Sequence, residues 1–286
     1  MDIPFDLLLM VASFYTKQRM KLLDWIPMNK LDWNRLSENP NAIQLLEKYP
    51  TMIHWTWLSG NPNALNLLEN NIDKINWRLL SANSKAIHIL EKHLDKIDWN
   101  CLTNNINGTY ILEKYPDKIN WYYLSGNPNA IHILEKNIDK INWWHLSENP
   151  NAIHILEKNP DKIDWRNLSR NPNALHLLEK NPDKIHWDYL SGNPNLLNAI
   201  YLLEKNFNKI HWNWLSGNPN AIHLLEKNPK NINWKILSTN PKALHILKKR
   251  HKKIDWSFLS RNPGIFEIDT IQTNLELKKR ANNIDY

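Results

Sequence analysis

The 286-residue chain is poor in cysteine and glycine and has no long apolar run. Its single cysteine, Cys101, excludes an internal disulfide and a zinc site built from cysteines, and it is typical of a reducing compartment. No apolar stretch reaches the roughly 18 residues that a membrane span needs. The longest, residues 7–12, follows Asp2 and Asp6 rather than the basic start of a signal peptide. We therefore expect a soluble intracellular protein without membrane contact.

Tryptophan and asparagine are abundant instead. The chain has 15 tryptophans and 43 asparagines, and it is 42% apolar and 23% charged. This apolar content suffices for a large core, so the composition argues against a disordered chain.

The tryptophans mark an internal repeat. Eight of them lie 22 residues apart, a ninth follows after 25 residues, and two more restore the spacing of 22. They define copies 1 to 11, which begin with Trp33, Trp55, Trp77, Trp99, Trp121, Trp143, Trp165, Trp187, Trp212, Trp234 and Trp256. The extra residues of copy 8 fall within residues 193–206. A fixed short period of this kind predicts an all-α solenoid of stacked two-helix units.

Within copy 7, capping residues predict where the helices begin and end. Asp164 is the expected N-cap of a first helix that starts at Trp165, and this cap position holds Asp or Asn in eight of eleven copies. Asn171 and Pro172 are expected to start the second helix. Asn181 is expected to end it in a left-handed conformation. The other copies carry His54, His186 and His211 at the first cap, where they should cap less well.

A unit of this size cannot bury its own apolar face, so we expect the copies to share a core. We expect each repeat tryptophan to lie hidden between copies, and Trp165→Ala to cost about 3–5 kcal/mol. Stacked at about 8–10 Å, eleven copies would form a rod or superhelix roughly 100 Å long. Three regions follow: an N-terminal cap over residues 1–30, the array over 31–266, and a C-terminal cap or tail over 267–286.

The repeat string LSxNPNAIxLLEKNPDKIDW closely resembles the short helical repeats that giant DNA viruses of amoebae and algae encode in many paralogous copies. The ending at residues 262–269 is similar to the way those arrays finish. The resemblance implies an α-solenoid of viral origin and a location in the host-cell cytoplasm, with the virion and the nucleus as alternatives. It implies no enzymatic activity. Some relatives begin with an F-box-like segment, and residues 3–14 are similar to its first helix; the alternative is a plain apolar cap.

Residues that recur once per copy are expected to serve the scaffold. One slot holds a histidine in six copies, but neighbouring copies are too far apart for these rings to converge on a metal ion. A glutamate recurs in nine copies, and Cys101 has no evident histidine partner, which favours a packed thiol. We therefore expect no catalytic residues, no metal and no cofactor. The six histidines are His88, His132, His154, His176, His223 and His245.

The two positions after each repeat tryptophan vary freely between copies. Aromatic residues at the second of them are candidates for anchoring a protein partner. The alternative is that they are half-buried between adjacent copies. The candidate partner-binding residues are Trp57, Tyr123, His145, Tyr189, Trp214 and Phe258.

Positive charge is concentrated in the last fifth of the chain. Residues 227–286 hold 13 Lys and Arg against 5 Asp and Glu, although the whole chain carries only +7. The simpler interpretation is a solvated helix end, and the alternative is a phosphate-facing or nuclear-import patch. The candidate basic patch comprises Lys248, Lys249, Arg250, Lys252, Lys253, Lys278, Lys279 and Arg280.

Regular scaffold positions beside variable ones favour a non-enzymatic scaffold that mediates protein–protein interaction, as a viral adaptor toward host proteins. A virion structural component is the first alternative. The second is a protein that contacts nucleic acid through its basic C-terminal fifth.

Overall fold

The computed structural model describes residues 18–284, with side chains described for residues 18–279. This range contains twenty-two α-helices and two short strands, so the chain is an all-α helical repeat protein. The F-box-like segment at residues 3–14 lies outside the described residues.

Copies 1 to 10 each contain a first helix, a second helix and a 3₁₀ helix, whereas copy 11 has of these only the first helix. The first helices are Trp33–Glu38, Trp55–Ser59, Trp77–Ala82, Trp99–Asn104, Trp121–Leu124, Trp143–Glu148, Trp165–Leu168, Trp187–Ser191, Trp212–Gly217, Trp234–Leu237 and Trp256–Ser260. The second helices are Ile43–Lys48, Leu65–Glu69, Ile87–Lys92, Thr109–Lys114, Ile131–Leu134, Ile153–Lys158, Leu175–Lys180, Leu196–Lys205, Ile222–Lys227 and Leu244–Lys249.

The 3₁₀ helices precede each first helix and were not predicted. They are Met28–Lys30, Pro50–Met52, Ile72–Lys74, Leu94–Lys96, Pro116–Lys118, Ile138–Lys140, Pro160–Lys162, Pro182–Lys184, Phe207–Lys209, Pro229–Asn231 and His251–Lys253. Two further 3₁₀ turns are Pro128–Ala130, between the two helices of copy 5, and Pro263–Ile265, after the first helix of copy 11. A C-terminal helix, Thr270–Ile284, follows strand β2 (Phe266–Ile268), which pairs with strand β1 (Met20–Leu22).

The first-helix caps were predicted correctly. Asp or Asn at this position accepts a main-chain N–H in all eight copies that carry it, as Asp164 does from Asn167. His54 and His186 make no such bond, because an imidazole fits this short loop poorly. His211 does accept one, through Nδ1 at 3.3 Å from the amide of Trp214.

The predicted start of the second helix was wrong, and its predicted end was right in position but wrong in conformation. In copy 7 the helix begins at Leu175, and Asn171 instead closes a turn by accepting the amide of Asn173 at 2.9 Å. Asn181 is not left-handed, since its φ is −134°. Its side chain donates back to the carbonyl of Leu177, so a side-chain bond replaces the expected left-handed cap.

The core is a ring of leucines, with the tryptophans at its edge. The leucine three residues after each repeat tryptophan is fully buried in all eleven copies, as Leu168 is. The repeat tryptophans pack against this core but are only half-buried, which corrects the expectation that they are hidden. A lysine of the following 3₁₀ helix covers one face of several indoles, as Lys184 covers Trp165 with Nζ 4.5 Å from the ring centroid.

Two polar side chains join each copy to the one before it. At the junction of copies 5 and 6, the buried Asn149 donates from Nδ2 to the carbonyls of Ser125 and Asn127, both at 3.0 Å. The hydroxyl of Ser125 accepts the amide of Asn142 at 2.9 Å and donates to the carbonyl of Trp121. These bonds satisfy main-chain groups that the short helices leave unpaired inside the core.

The same bonds join copy 11 to copy 1, so the array closes into a ring. Asn39 donates to the carbonyls of Ser260 and Asn262 at 3.0 and 2.9 Å, and Ser260 accepts the amide of Asp32 at 2.8 Å. The first helices of copies 1 and 11 also pack against each other. The expectation of an extended rod with two separate ends was therefore wrong. We call the junction of copies 11 and 1 the seam.

Copy 11 is completed by the N-terminal segment rather than by the residues that follow it. After Ile265 the chain leaves the repeat and forms β2. The 3₁₀ helix Met28–Lys30 takes the place of the missing one, with Lys30 over the ring of Trp256 at 5.3 Å. Strands β1 and β2 then pair antiparallel, with Lys21 and Glu267 joined in an ion pair at 3.1 Å. The two terminal regions thus meet instead of capping distant ends.

The first helices form the inner wall of the ring. Neighbouring first helices pack closely against each other, whereas second helices meet mainly through long side chains. In a closed ring the more closely spaced elements lie nearer the centre. Spaced at about 8–10 Å, eleven helices would lie about 16 Å from the centre. A helix radius of about 5 Å then leaves an opening about 20 Å across.

Candidate partner-binding surface

The second residue after each repeat tryptophan belongs to the inner wall; we call these eleven residues the inner row. Ring centroids of adjacent copies are 6.5 Å apart for Tyr189 and Trp214, less than the about 8–10 Å between packed helices. The guanidinium of Arg170 in copy 7 also reaches past copy 8 and lies 5.5 Å from the ring centroid of Trp214 in copy 9. Both contacts agree with a concave surface, on which side chains of different copies converge.

The sequence left two alternatives for the aromatic residues of the inner row: anchors for a partner, or side chains half-buried between copies. Different members of the row fit each alternative. Trp57, His145, Tyr189 and Phe258 are half-buried against neighbouring copies, which explains part of their aromatic character as packing. Trp214 is 46% exposed and available for contact. Tyr123 is also exposed, at 37%. The remaining members are Arg35, Leu79, Cys101, Asn167 and Ile236.

Copies 5 and 6 form one aromatic cluster on this wall. Tyr122 and Trp144 stack at 6.3 Å with an interplanar angle of 9°, and His145 meets Tyr122 edge-on at 4.2 Å. The Nε2 atom of His145 is buried and has no hydrogen-bond partner. Burial lowers the pKa of His145 below its ordinary value of 6.5, because the charged ring would lose its contact with water, and the nearby charge of Glu148 offsets this only in part.

Copies 7 to 9 form a second cluster that adds positive charge. Tyr189 and Trp214 are stacked at 6.5 Å, and the guanidinium groups of Arg166 and Arg170 lie 5.6 and 5.5 Å from the centroids of these two rings. Neither arginine forms an ion pair with any described side chain. The same arrangement recurs at Arg35 over Trp57 and at Lys235 over Phe258. Cation–π contacts therefore run along much of the inner wall.

Cys101 lies in the inner row and is half-buried. Burial raises the pKa of its thiol, and hydrogen bonds involving Arg78 and Asp98 act on it in opposite directions. A raised pKa keeps the thiol protonated, which disfavours a nucleophilic role.

The histidine slot lies on the outer layer, where it links neighbouring second helices. His154 approaches Glu135 of the preceding copy with Nε2 2.9 Å from Oε1, and Tyr201 contacts Glu179 in the same way. This pairing accounts for the recurrent glutamate. Within residues 18–279 no group of three or more His, Cys, Asp or Glu side chains is arranged to hold a metal ion.

The basic patch lies beside the seam. Lys248, Lys249, Arg250, Lys252 and Lys253 are all exposed on the outer layer of copy 10. Lys278 and Lys279 are exposed on the C-terminal helix, after Glu276, whose carboxylate contacts Arg19; the side chain of Arg280 lies outside those described.

The basic patch lacks the glutamate that recurs in nine other copies, and the structure explains why. Lys248 stands where other copies carry the glutamate that pairs with the next histidine. Copy 11 has no second helix, so no histidine faces this position.

Five residues of the inner wall were missed from the sequence: Tyr122, Trp144, Arg166, Arg170 and Lys235. Tyr122 and Trp144 occupy the first position after the repeat tryptophan. That position varies between copies, and this variation could have identified it as part of the candidate surface. Arg170 occupies the fifth position, and its reach to a copy two steps away depends on the curvature of the ring.

No protein-family model, curated protein or solved structure matches this chain. Among the described residues, no helix has the length and apolar character to cross a membrane.

Proposed function

We propose that the chain is a non-enzymatic ring scaffold that binds a partner protein through its inner wall, as a viral adaptor toward a host protein. The observation that carries this proposal is the pair of exposed aromatic clusters on a concave wall. Their side chains contribute nothing to the Asn and Ser bonds that hold the ring together. Exposed aromatic residues and arginines are the residue types that dominate the binding energy of protein interfaces.

The variation between copies supports the same proposal. Junction residues repeat around the whole ring, whereas the inner row holds charged, aromatic, aliphatic and polar side chains in turn. A purely mechanical ring would need only the repeated positions. A surface that differs at each copy presents a distinct pattern to one partner.

The proposal is tested by capture from an extract of infected host cells. Tyr122→Ala combined with Trp144→Ala and Trp214→Ala removes the three most exposed of these inner rings, and His154→Ala with His176→Ala serves as an outer-layer control. We expect one partner to be retained by the parent protein and by the control, and lost with the triple variant. A parent protein that retains nothing, or a triple variant that retains the same partner, would contradict the proposal.

The lysines of copy 10 form no ion pair with any side chain that the structure describes, and they favour a second candidate function, contact with nucleic acid. A surface of this kind binds phosphates by releasing counterions, so affinity falls steeply with salt. Replacing Lys248, Lys249, Lys252 and Lys253 by glutamine should then abolish binding of a fluorescent 20-base-pair DNA duplex. Equal binding by the parent and this variant, or binding that does not depend on salt, argues against the second function.

A further inference from the structure

One groove on the inner wall coincides with the place where the repeat is broken. It has a volume of about 520 Å³ and is lined by residues of copies 7 to 10, among them Arg170, Trp214, Pro219 and Ile236. The three-residue insertion of copy 8 adjoins it at Pro194. We call it the Trp214 groove.

Two glycines at the same position of consecutive copies leave the Trp214 groove open. Gly192 and Gly217 occupy the fifth position after the tryptophan in copies 8 and 9, where copies 6 and 7 carry Glu148 and Arg170. A Cβ at Gly192 would lie 3.1 Å from Cε3 of Trp214, and one at Gly217 would lie 3.1 Å from Cγ2 of Ile236. The glycines therefore let the indole and the isoleucine lie against bare backbone, and no side chain fills the groove.

The chemistry of the walls restricts what the groove can hold. The indole of Trp214, two prolines and Ile236 make it mainly apolar, and its volume falls within the range of about 300–1,000 Å³ that is usual for ligand pockets. Arg170 supplies the charge at its edge and has no ion pair among the described side chains. Copy 8 also carries an acidic residue, Asp188, at the first position after its repeat tryptophan. Asp188 lines a different groove, beside Trp187.

We propose that the Trp214 groove is the anchoring subsite for an acidic linear segment of the partner. A bulky apolar side chain of that segment fills the groove between Trp214 and Ile236, and a neighbouring carboxylate pairs with Arg170. The charge of Arg170 and of nearby Arg166 selects an acidic segment over a basic one. This inference rests on the proposed protein-binding function and names the chemistry of the partner.

The test is selection of displayed random twelve-residue peptides on the intact protein. We expect the enriched peptides to share an aromatic or large aliphatic residue flanked by Asp or Glu. Gly217→Leu fills the groove, and Gly60→Leu is the matched control because Gly60 holds the same position in copy 2 with no atom closer than 3.7 Å to an added Cβ. Selected peptides should bind Gly217→Leu and Arg170→Gln at least tenfold more weakly, and Gly60→Leu with unchanged affinity. Circular dichroism should match between the two leucine variants at the temperature of the binding measurement, and Gly217→Leu should have the lower unfolding midpoint because its Cβ would lie 3.1 Å from Cγ2 of Ile236.

Several outcomes would overturn the inference. They are failure to enrich any peptide, enrichment of basic peptides, or equal binding of acidic peptides to Gly217→Leu. Binding of a ten-nucleotide oligothymidylate that Arg170→Gln abolishes, with no acidic peptide enriched, would identify the groove as a nucleic-acid contact. If the captured host partner is lost with Tyr122→Ala and Trp144→Ala but retained with Gly217→Leu, the subsite is wrong while the proposed function stands.

Discussion

The seam and the junction of copies 5 and 6 are held by the same bonds, yet only the second is bridged directly by the repeat chain. Asn39 donates to two carbonyls across the seam at 3.0 and 2.9 Å, and Asn149 does so between copies 5 and 6 at 3.0 Å for both bonds. The seam adds the pairing of β1 with β2. Side-chain recognition therefore defines a junction, and peptide connectivity between neighbours is dispensable.

The seam also covers the two faces that the ends of a linear repeat array would expose. A linear stack exposes an apolar face at each end unless a special unit covers it. Here each face of copy 1 and copy 11 is covered by a neighbour, as the burial of Leu36 and Leu259 shows. The N-terminal segment contributes to this by supplying Ile26 and Leu31, both buried, where copy 11 lacks its own residues.

A covalent link across the seam should have the largest effect. Met20 and Ile268 face each other in the strand pair. The main-chain bonds at Leu23–Ile265 and Arg19–Asp269 make them a non-hydrogen-bonded pair, with Cα atoms about 4.5 Å apart. In a Cys101→Ser background, Met20→Cys with Ile268→Cys should form an intramolecular disulfide.

By restricting the unfolded chain, this disulfide should raise the free energy of unfolding by about 4 kcal/mol. The measurement is chemical denaturation with and without reductant, with the single Met20→Cys variant as control. A product consisting of disulfide-linked dimers, with no internal crosslink, would mean that the seam is open in solution.

The junction asparagines come next. Asn149→Ala and Asn39→Ala should each lower the free energy of unfolding by about 3 kcal/mol, because each removes three hydrogen bonds and leaves a buried carbonyl unpaired. Urea denaturation gives both values, and Asn151→Ala, which loses one exposed bond to the carbonyl of Pro128, is the control with a loss below about 1 kcal/mol. A much smaller loss for Asn39→Ala than for Asn149→Ala would show that the seam is weaker than an internal junction.

The repeat tryptophans provide a smaller contrast. Trp165→Ala and Trp256→Ala should each cost about 2–3 kcal/mol, below the about 3–5 kcal/mol expected for a buried ring, because both indoles are half-buried. Lys184, from the next part of the chain, covers Trp165 with Nζ 4.5 Å from the ring centroid. Lys30 covers Trp256 from across the seam, with Nζ 5.3 Å from the ring centroid. Thermal and urea unfolding of the two variants should therefore agree, and a loss confined to Trp165→Ala would separate the two sites.

Acidification should act on the junction of copies 5 and 6 through His145. Because the pKa of His145 is lower in the folded chain than its ordinary 6.5, the unfolded chain binds the proton more readily. Its contribution to stability is therefore complete above about pH 6.5 and is lost as the pH falls toward the folded pKa. The inner row at the seam holds Phe258 and Arg35, which do not titrate in this range.

The measurement is the free energy of unfolding of the parent and of His145→Gln between pH 7.5 and 5. We expect a smaller decline for the variant, because glutamine does not take up the proton that His145 binds on unfolding. Identical pH profiles would assign the titration elsewhere.

The period of the tryptophans was enough to predict the helical repeat and the first-helix caps, because these features depend on residues close together in the chain. The junction role of asparagine was not predicted, since its amide bonds a copy about 22 residues earlier. A signal did exist: Asn83 and Asn105 are retained where the following proline is lost, so the asparagine serves more than the turn. Closure was not predictable from one copy, because it depends on small displacements added over eleven junctions.

The end of the repeat also held an unused clue. Lys30, Leu31 and Asp32 match the last residues of a copy, and the chain leaves the repeat halfway through copy 11. Two incomplete halves at opposite ends of a sequence complement each other when the ends meet. For the candidate surface, variability indicated the inner row, but which of its members are exposed was determined by packing between copies.

Closure sets the number of copies. Eleven equal steps around a full circle require a turn of about 33° each, whereas ten would require about 36° and twelve about 30°. Excising one unit therefore strains every remaining junction or leaves the circle open. The three-residue insertion in copy 8 escapes this restriction, because it falls in the longer second helix Leu196–Lys205, which belongs to the wider outer layer. Side chains of the inner wall can change freely while the angular spacing of the whole array remains locked.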